Sequence, residues 1–153
     1  MKALVQYLNK FLFSQRDLGL LLFRLVLGGM FMWHGLPKLL GGPEKWAALG
    51  RTMEVFGLSF APELFGFLAG ASEFFGGLLI LLGLFYRAAA LFLCVNLLVA
   101  FSSQLLQNKG LFKAAQSFED AASFLAALFV GPGRYSLDHF LGLDQTSEEW
   151  PGH

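Results

Sequence analysis

Charge is what this sequence has least of. Only 14% of its 153 residues are Asp, Glu, Lys or Arg, against about 25% in a typical soluble domain. The 11 basic and 11 acidic residues cancel. With no basic excess there is no electrostatic footprint for nucleic acid, and with no single-sign run there is no charged tail. Cysteine is nearly absent. Cys94 stands alone, which excludes an internal disulfide and vicinal dithiol chemistry within the chain. Histidine is scarce too. His34, His139 and His153 cannot supply paired axial haem ligands on facing helices without drawing on the tail. None has a second His or Cys one turn away, so metal-ligand spacing is missing. The glycine pairs at 28–29, 41–42 and 76–77 lack the strand and the GxxxxGK pattern of a phosphate loop. No segment alternates like a barrel strand.

What the sequence has is apolar bulk and glycine. Apolar residues make up 56%, with 18 Phe and 18 Gly. That pairing suits a membrane protein, where aromatics meet lipid and glycines let helices approach closely. Four apolar stretches stand out, at 18–37, 64–86, 88–106 and 118–130. About 20 helical residues cross a bilayer core, so the first three qualify and the fourth needs its flanks, tilt or local thinning. Pro37, Pro62 and Gly131-Pro132-Gly133 punctuate their ends. The expected fold is all-α: a four-helix transmembrane bundle over residues 18–143, with short interfacial helices at both ends. Residues 1–17 form the first of these, because Leu4, Tyr7, Leu8, Phe11 and Leu12 share one helical face. No cleavable signal is expected there. The loop 38–61 has room for an amphipathic helix over 44–56, and Arg87 marks a tight turn. Ser136 is placed to cap a short helix through Leu143, with Arg134 and Asp138 paired across its start. Residues 144–153 are expected to be a mobile tail. Basic residues divide five to five between the two sides. The termini are assigned to the cytoplasm because the first helix usually dominates orientation.

Charges inside a span cost roughly 2.5–3.5 kcal/mol each, so each needs a partner or a purpose. Taking the side of the termini as zero, the helical rise puts Arg24 about 10 Å up, Glu73 about 20 Å, and His34 and Gln104 about 24 Å. Glu119 and Asp120 enter from the far side, level with Lys38. Arg24, Gly28, Phe31, Gly35 and Lys38 form one stripe, and Gly66, Gly70, Glu73 and Gly77 another. This arrangement places Arg24 within reach of Glu73. It gathers His34, Lys38, Glu73, Gln104 and Glu119 into a far-side polar cluster. The static alternative is an Arg24–Glu73 staple that fixes helix register and does no chemistry.

The run Arg24-Leu25-Val26-Leu27-Gly28 with His34-Gly35-Leu36-Pro37-Lys38-Leu39 resembles the opening of DoxX-family membrane proteins. Glu73-Phe74-Phe75-Gly76-Gly77-Leu78, Gly83, Arg87, Val99-Ala100, Phe118-Glu119 and Gly131 through Asp138 extend the likeness in order over residues 18–140. The resemblance implies a four-helix protein of the bacterial inner membrane. It maps the family's polar positions onto Arg24, His34, Lys38, Glu73 and Glu119. The family includes a subunit of thiosulfate:quinone oxidoreductase and members thought to assist redox enzymes or thiol homeostasis. One departure is the stretch Ser102-Ser103-Gln104, where the resemblance leads one to expect a histidine.

Three functions compete. The first is a membrane subunit of a quinone-linked oxidoreductase. It would have no covalently bound cofactor, would hold quinone against His34 and Glu73, and would depend on a partner subunit carrying the redox centre. The second is a scaffold or assembly factor that binds other membrane helices through its glycine stripes. The third is a small-solute permease, which needs a homo-oligomer to build a pathway.

Overall fold

The computed structural model describes residues 1–144, so the expected tail, Asp144 apart, lies outside the described residues. Among the described residues seven α-helices follow one another: α1 Lys2–Ser14, α2 Arg16–Leu39, α3 Gly42–Gly50, α4 Pro62–Leu82, α5 Tyr86–Leu106, α6 Leu111–Val130 and α7 Leu137–Phe140. A 3₁₀ segment, Arg51–Phe56, follows α3. The expected helix at 44–56 is therefore two pieces. Helices α2, α4 and α5 are long and apolar enough to cross a membrane. Helix α6 is nearly as long but carries Lys113, Glu119 and Asp120.

Several boundaries differ from the sequence reading. Helix α2 continues through Pro37 to Leu39. Proline lacks the N–H that would reach the Trp33 carbonyl, but the turn is kept by Leu40 N–H donating to Leu36 O at 3.0 Å. Helix α4 stops at Leu82 because Gly83 takes a left-handed φ of 63°, which glycine adopts at no steric cost. Tyr86 and Arg87 then belong to α5, so the turn is Gly83–Phe85. Helix α6 starts seven residues before the expected 118, because Ala114 extends the face of Ala121, Phe124 and Ala127, all buried.

The helices pack as two close pairs, α2 with α4 and α5 with α6, joined where α4 meets α5. Glycine sets the first pair. A Cβ on Gly28 would lie 2.7 Å from Gly77 O, and one on Gly77 would lie 2.8 Å from Met32 N. Both are backbone clashes, so any side chain at either position would push the helices apart. Alanine does the same for the second pair, through Ala89, Ala90, Ala121 and Ala127. Between the pairs, Phe31 of α2 meets Phe124 of α6 edge to face at 4.8 Å. The outer surface is the reverse of a soluble protein's. Trp33, Phe92 and Phe129 are at least 70% exposed on long helices, an apolar belt that water would not tolerate and lipid does. The α1 helix buries no residue, and its apolar stripe is left for the membrane surface.

Candidate functional site

The two ends of the molecule hold separate polar groups. At the far end, where α2 finishes, Lys38 Nζ donates to both Glu73 carboxylate oxygens at 2.6 Å. Glu73 is buried and the Lys38 side chain about a third exposed. Helix geometry explains the pairing. Side chains on a helix lean toward its N-terminus. Lys38, in the last turn of α2, leans back into the protein. Glu73, on antiparallel α4, leans toward the far end, and the two converge. Gly70 makes room for this, since a Cβ there would sit 3.0 Å from Lys38 Cβ.

Helix α3 closes the α2 terminus. Trp46 Nε1 donates to Lys38 O at 3.0 Å and Lys45 Nζ donates to Pro37 O at 2.9 Å. These side chains satisfy carbonyls that the ending helix leaves free. Trp46 also stacks edge to face on Phe67 of α4 at 5.1 Å.

Helix α6 brings Asp120, which is half-buried and lies within electrostatic reach of Glu119, His34 and Glu73. Asp120 is the carboxylate the sequence reading passed over in favour of Glu119. Glu119 is exposed and points away from the core. The signal was present: Asp120 lies on the same helical face as Ser117, Ala121 and Phe124, and Glu119 does not. Gln104 Nε2 donates to Ser117 Oγ at 2.9 Å, tying α5 to α6 one turn before Asp120. His34 is exposed at the rim of the group.

Arg24 belongs to the other end. It lies 14 residues before Lys38 on α2, about 21 Å along the axis, and its side chain leans away from Glu73. The expected Arg24–Glu73 staple is therefore not formed. Arg24, only 1% exposed, donates through Nη2 to the Tyr135 carbonyl and packs against Gly83. Asp138 is not paired with Arg134. Its carboxylate accepts from Phe85 N–H and Tyr86 N–H, both at 2.8 Å, and so caps α5. Its own N–H donates to Gly83 O at 2.9 Å. Arg134 instead meets Asp17 at 3.6 Å. As expected, Ser136 caps α7, accepting from His139 N–H at 3.2 Å. Arg24 Nε and Nη1 and Tyr86 Oη are buried without a hydrogen-bond partner among the described residues. No group of three or more His, Cys, Asp or Glu among the described residues has the arrangement of a metal site.

Of the six residues singled out from sequence, Lys38 and Glu73 are joined, and His34 stands at their rim beside Asp120. Gln104 touches Ser117, Glu119 faces outward, and Arg24 lies elsewhere. Residues 19–104 match the family model described as DoxX. The match takes in α2 through most of α5. It stops short of Phe118-Glu119 and the Gly131–Asp138 run, which the sequence resemblance had included. No curated protein and no solved structure matches the chain.

Proposed function

The chain belongs to the DoxX family, and we propose that it is a four-span membrane subunit of a quinone-linked oxidoreductase system, without a redox centre of its own. Its place is the bacterial inner membrane, with the termini on the cytoplasmic side. The observation that carries this reading is the far-end group. Lys38 and Glu73 are bonded at 2.6 Å, with Asp120 of α6 within electrostatic reach of Glu73 and of the exposed His34.

The donor set fits a quinone headgroup. Two ring carbonyls need hydrogen-bond donors, and Lys38 and His34 are the donors at the rim. The ring needs apolar surroundings, and Phe31 with Phe124, and Phe101 with Phe118, pair on the same helices. When bound, a quinone supplies electron and proton acceptance together. The chain's own part is to orient the headgroup and to hold protons. Lys38 fixes the Glu73 carboxylate by a charge-assisted bond. Asp120, close to two other carboxylates, is the group placed to take up or hand over a proton.

Helix α6 serves as the fourth span in this reading. Its 20 residues extend about 30 Å, and Asp120 is turned inward. Glu119 lies outward about 12 Å along α6, where a lone charge against lipid is costly. A partner subunit covering that face removes the cost. Scaffolding through the glycine stripes loses its surface, because Gly28, Gly35, Gly70 and Gly77 are buried between α2 and α4.

Purification in mild detergent tests the proposal. Stoichiometric quinone in the organic extract, with a flavin-, haem- or cluster-bearing subunit in the same peak, is the expected result. Neither quinone nor a redox subunit, from membranes that contain both, would overturn it.

A further inference from the structure

The near end of the molecule carries a second polar feature, separate from the far-end group. A cleft of about 430 Å³ opens where α1 turns into α2 and the Gly131–Ser136 segment passes beneath. Its wall is built. Asp17 Oδ1 accepts from the Arg134 backbone N–H at 3.1 Å, and a Cβ on Gly133 would lie 3.0 Å from Leu20 Cδ1. The Arg134 guanidinium stays 79% exposed despite its contact with Asp17. Arg16, also lining the cleft, has no salt bridge or side-chain hydrogen bond among the described residues. Ser14, Asp144 and His139 complete the polar lining, and Phe13, Leu20 and Val130 supply apolar wall.

The cleft's depth in the membrane limits its ligand. It lies where apolar α2 begins and where α1, with its exposed Tyr7 and Phe11, meets the surface. Exposed Tyr135 and Phe140 stand at the same end, and aromatic rings of this kind sit at headgroup level. A guanidinium fork matches phosphate oxygens, and two arginines line this cleft. Asp17 and Asp144 line the same cleft, Asp17 facing Arg134 and Asp144 Oδ1 facing Arg87 at 3.5 Å, and both side chains stay partly exposed; their open edges repel a purely anionic ligand and attract an amine. We infer that this cleft binds the headgroup of a zwitterionic phospholipid, with Arg16 and Arg134 on the phosphate and the aspartates toward a primary amine. Leu20 and Val130 lead from the headgroup toward the acyl chains. The site is independent of the quinone-linked reading, since none of its residues belongs to the far-end group.

Native mass spectrometry of the detergent-solubilised chain tests the assignment. The ligands are phosphatidylethanolamine, phosphatidylglycerol, diacylglycerol and inorganic phosphate. The wild type should retain one phosphatidylethanolamine in preference to the others. Arg16→Ala should lower its retention about tenfold, and Arg16→Ala with Arg134→Ala should abolish it, as expected for losing charge-assisted bonds to phosphate. Arg16 is exposed at the first position of α2, so its loss leaves the fold intact. Lys113→Ala, at the opposite end, should change nothing. Equal retention by the Arg16→Ala and wild-type proteins would overturn the assignment. So would equal retention of diacylglycerol, preference for phosphatidylglycerol, or displacement of the lipid by millimolar inorganic phosphate, which would mark a site for soluble anion instead.

Discussion

Among single residues, Lys38 and Glu73 form the contact most open to measurement. Removing one partner of a buried pair leaves the other charge uncompensated. Glu73→Gln should destabilise the protein, and Lys38→Met added to it should restore part of the loss. The double-mutant cycle is expected to give a coupling of about 1–2 kcal/mol, at the modest end because Lys38 is partly solvated. The Arg24→Gln and Glu73→Gln pair should be additive within about 0.5 kcal/mol, as for residues that do not touch. Denaturation in detergent micelles reads both cycles. A strong Arg24–Glu73 coupling would contradict the geometry. The sequence places both residues on inward stripes correctly, since that follows from a period of 3.6. It does not say which partners meet. Heights of Cα atoms put Arg24 nearer Glu73 than its side chain reaches. The lean of each side chain toward its own N-terminus decides the matter, sending Lys38 toward Glu73 and Arg24 toward the near end of the molecule. Asp120 shares the helical face of Ser117, Ala121 and Phe124 while Glu119 does not, so the period of 3.6 already marks Asp120 as the inward carboxylate.

At the scale of helices, two features fix how the elements meet. The α2/α4 contact is held by glycine, and its tolerance is position-specific. Gly28→Ala places a Cβ 2.7 Å from the backbone of α4, and should cost about 1–3 kcal/mol as overpacking. Gly29→Ala meets nothing within 4 Å and should be neutral or stabilising by up to about 1 kcal/mol through helix propensity. Thermal unfolding of the two variants side by side reads the difference. The second feature is Asp138. It holds the left-handed Phe85, at φ 45°, by capping α5 from 52 residues away. Asp138→Ala should lose about 0.5–2 kcal/mol, the usual worth of such a cap. It should also speed amide exchange at Phe85 and Tyr86. The four apolar stretches and the Ser136 cap were legible because both are local patterns. The Asp138 contact was not, because it joins two turns that neither composition nor spacing relates.

For the whole molecule, the open question of topology is whether α6 crosses. Cys94 is buried and is the single cysteine, so Cys94→Ala gives a background for labelling at introduced thiols. Cysteines placed at Lys109 and Arg134 should react with an impermeant reagent from opposite sides of sealed vesicles. Labelling from the same side would leave three spans and remove α6 from the proposed bundle. The sequence leads one to expect four spans, the fourth leaning on its flanks because Glu119 and Asp120 open the last apolar run. The inward turn of Asp120 and the extension of α6 back to Leu111 are what make a fourth crossing physically reasonable.

The far-end group as a quinone headgroup site is most directly tested by quinone binding to two neighbouring acid variants. Titration of the detergent-solubilised protein with a soluble quinone, followed by intrinsic tryptophan fluorescence, gives the dissociation constant. His34→Ala is expected to weaken binding at least about tenfold, the effect of losing one hydrogen-bond donor to a ring carbonyl, and Asp120→Ala, which removes the proton-holding carboxyl, is expected to weaken it as well, with the folded fraction unchanged. Glu119→Gln, one residue away but facing outward, is expected to bind as the wild type does. Equal affinity in the wild type, Asp120→Ala and His34→Ala would contradict the account and leave Lys38–Glu73 as a static bond between helices.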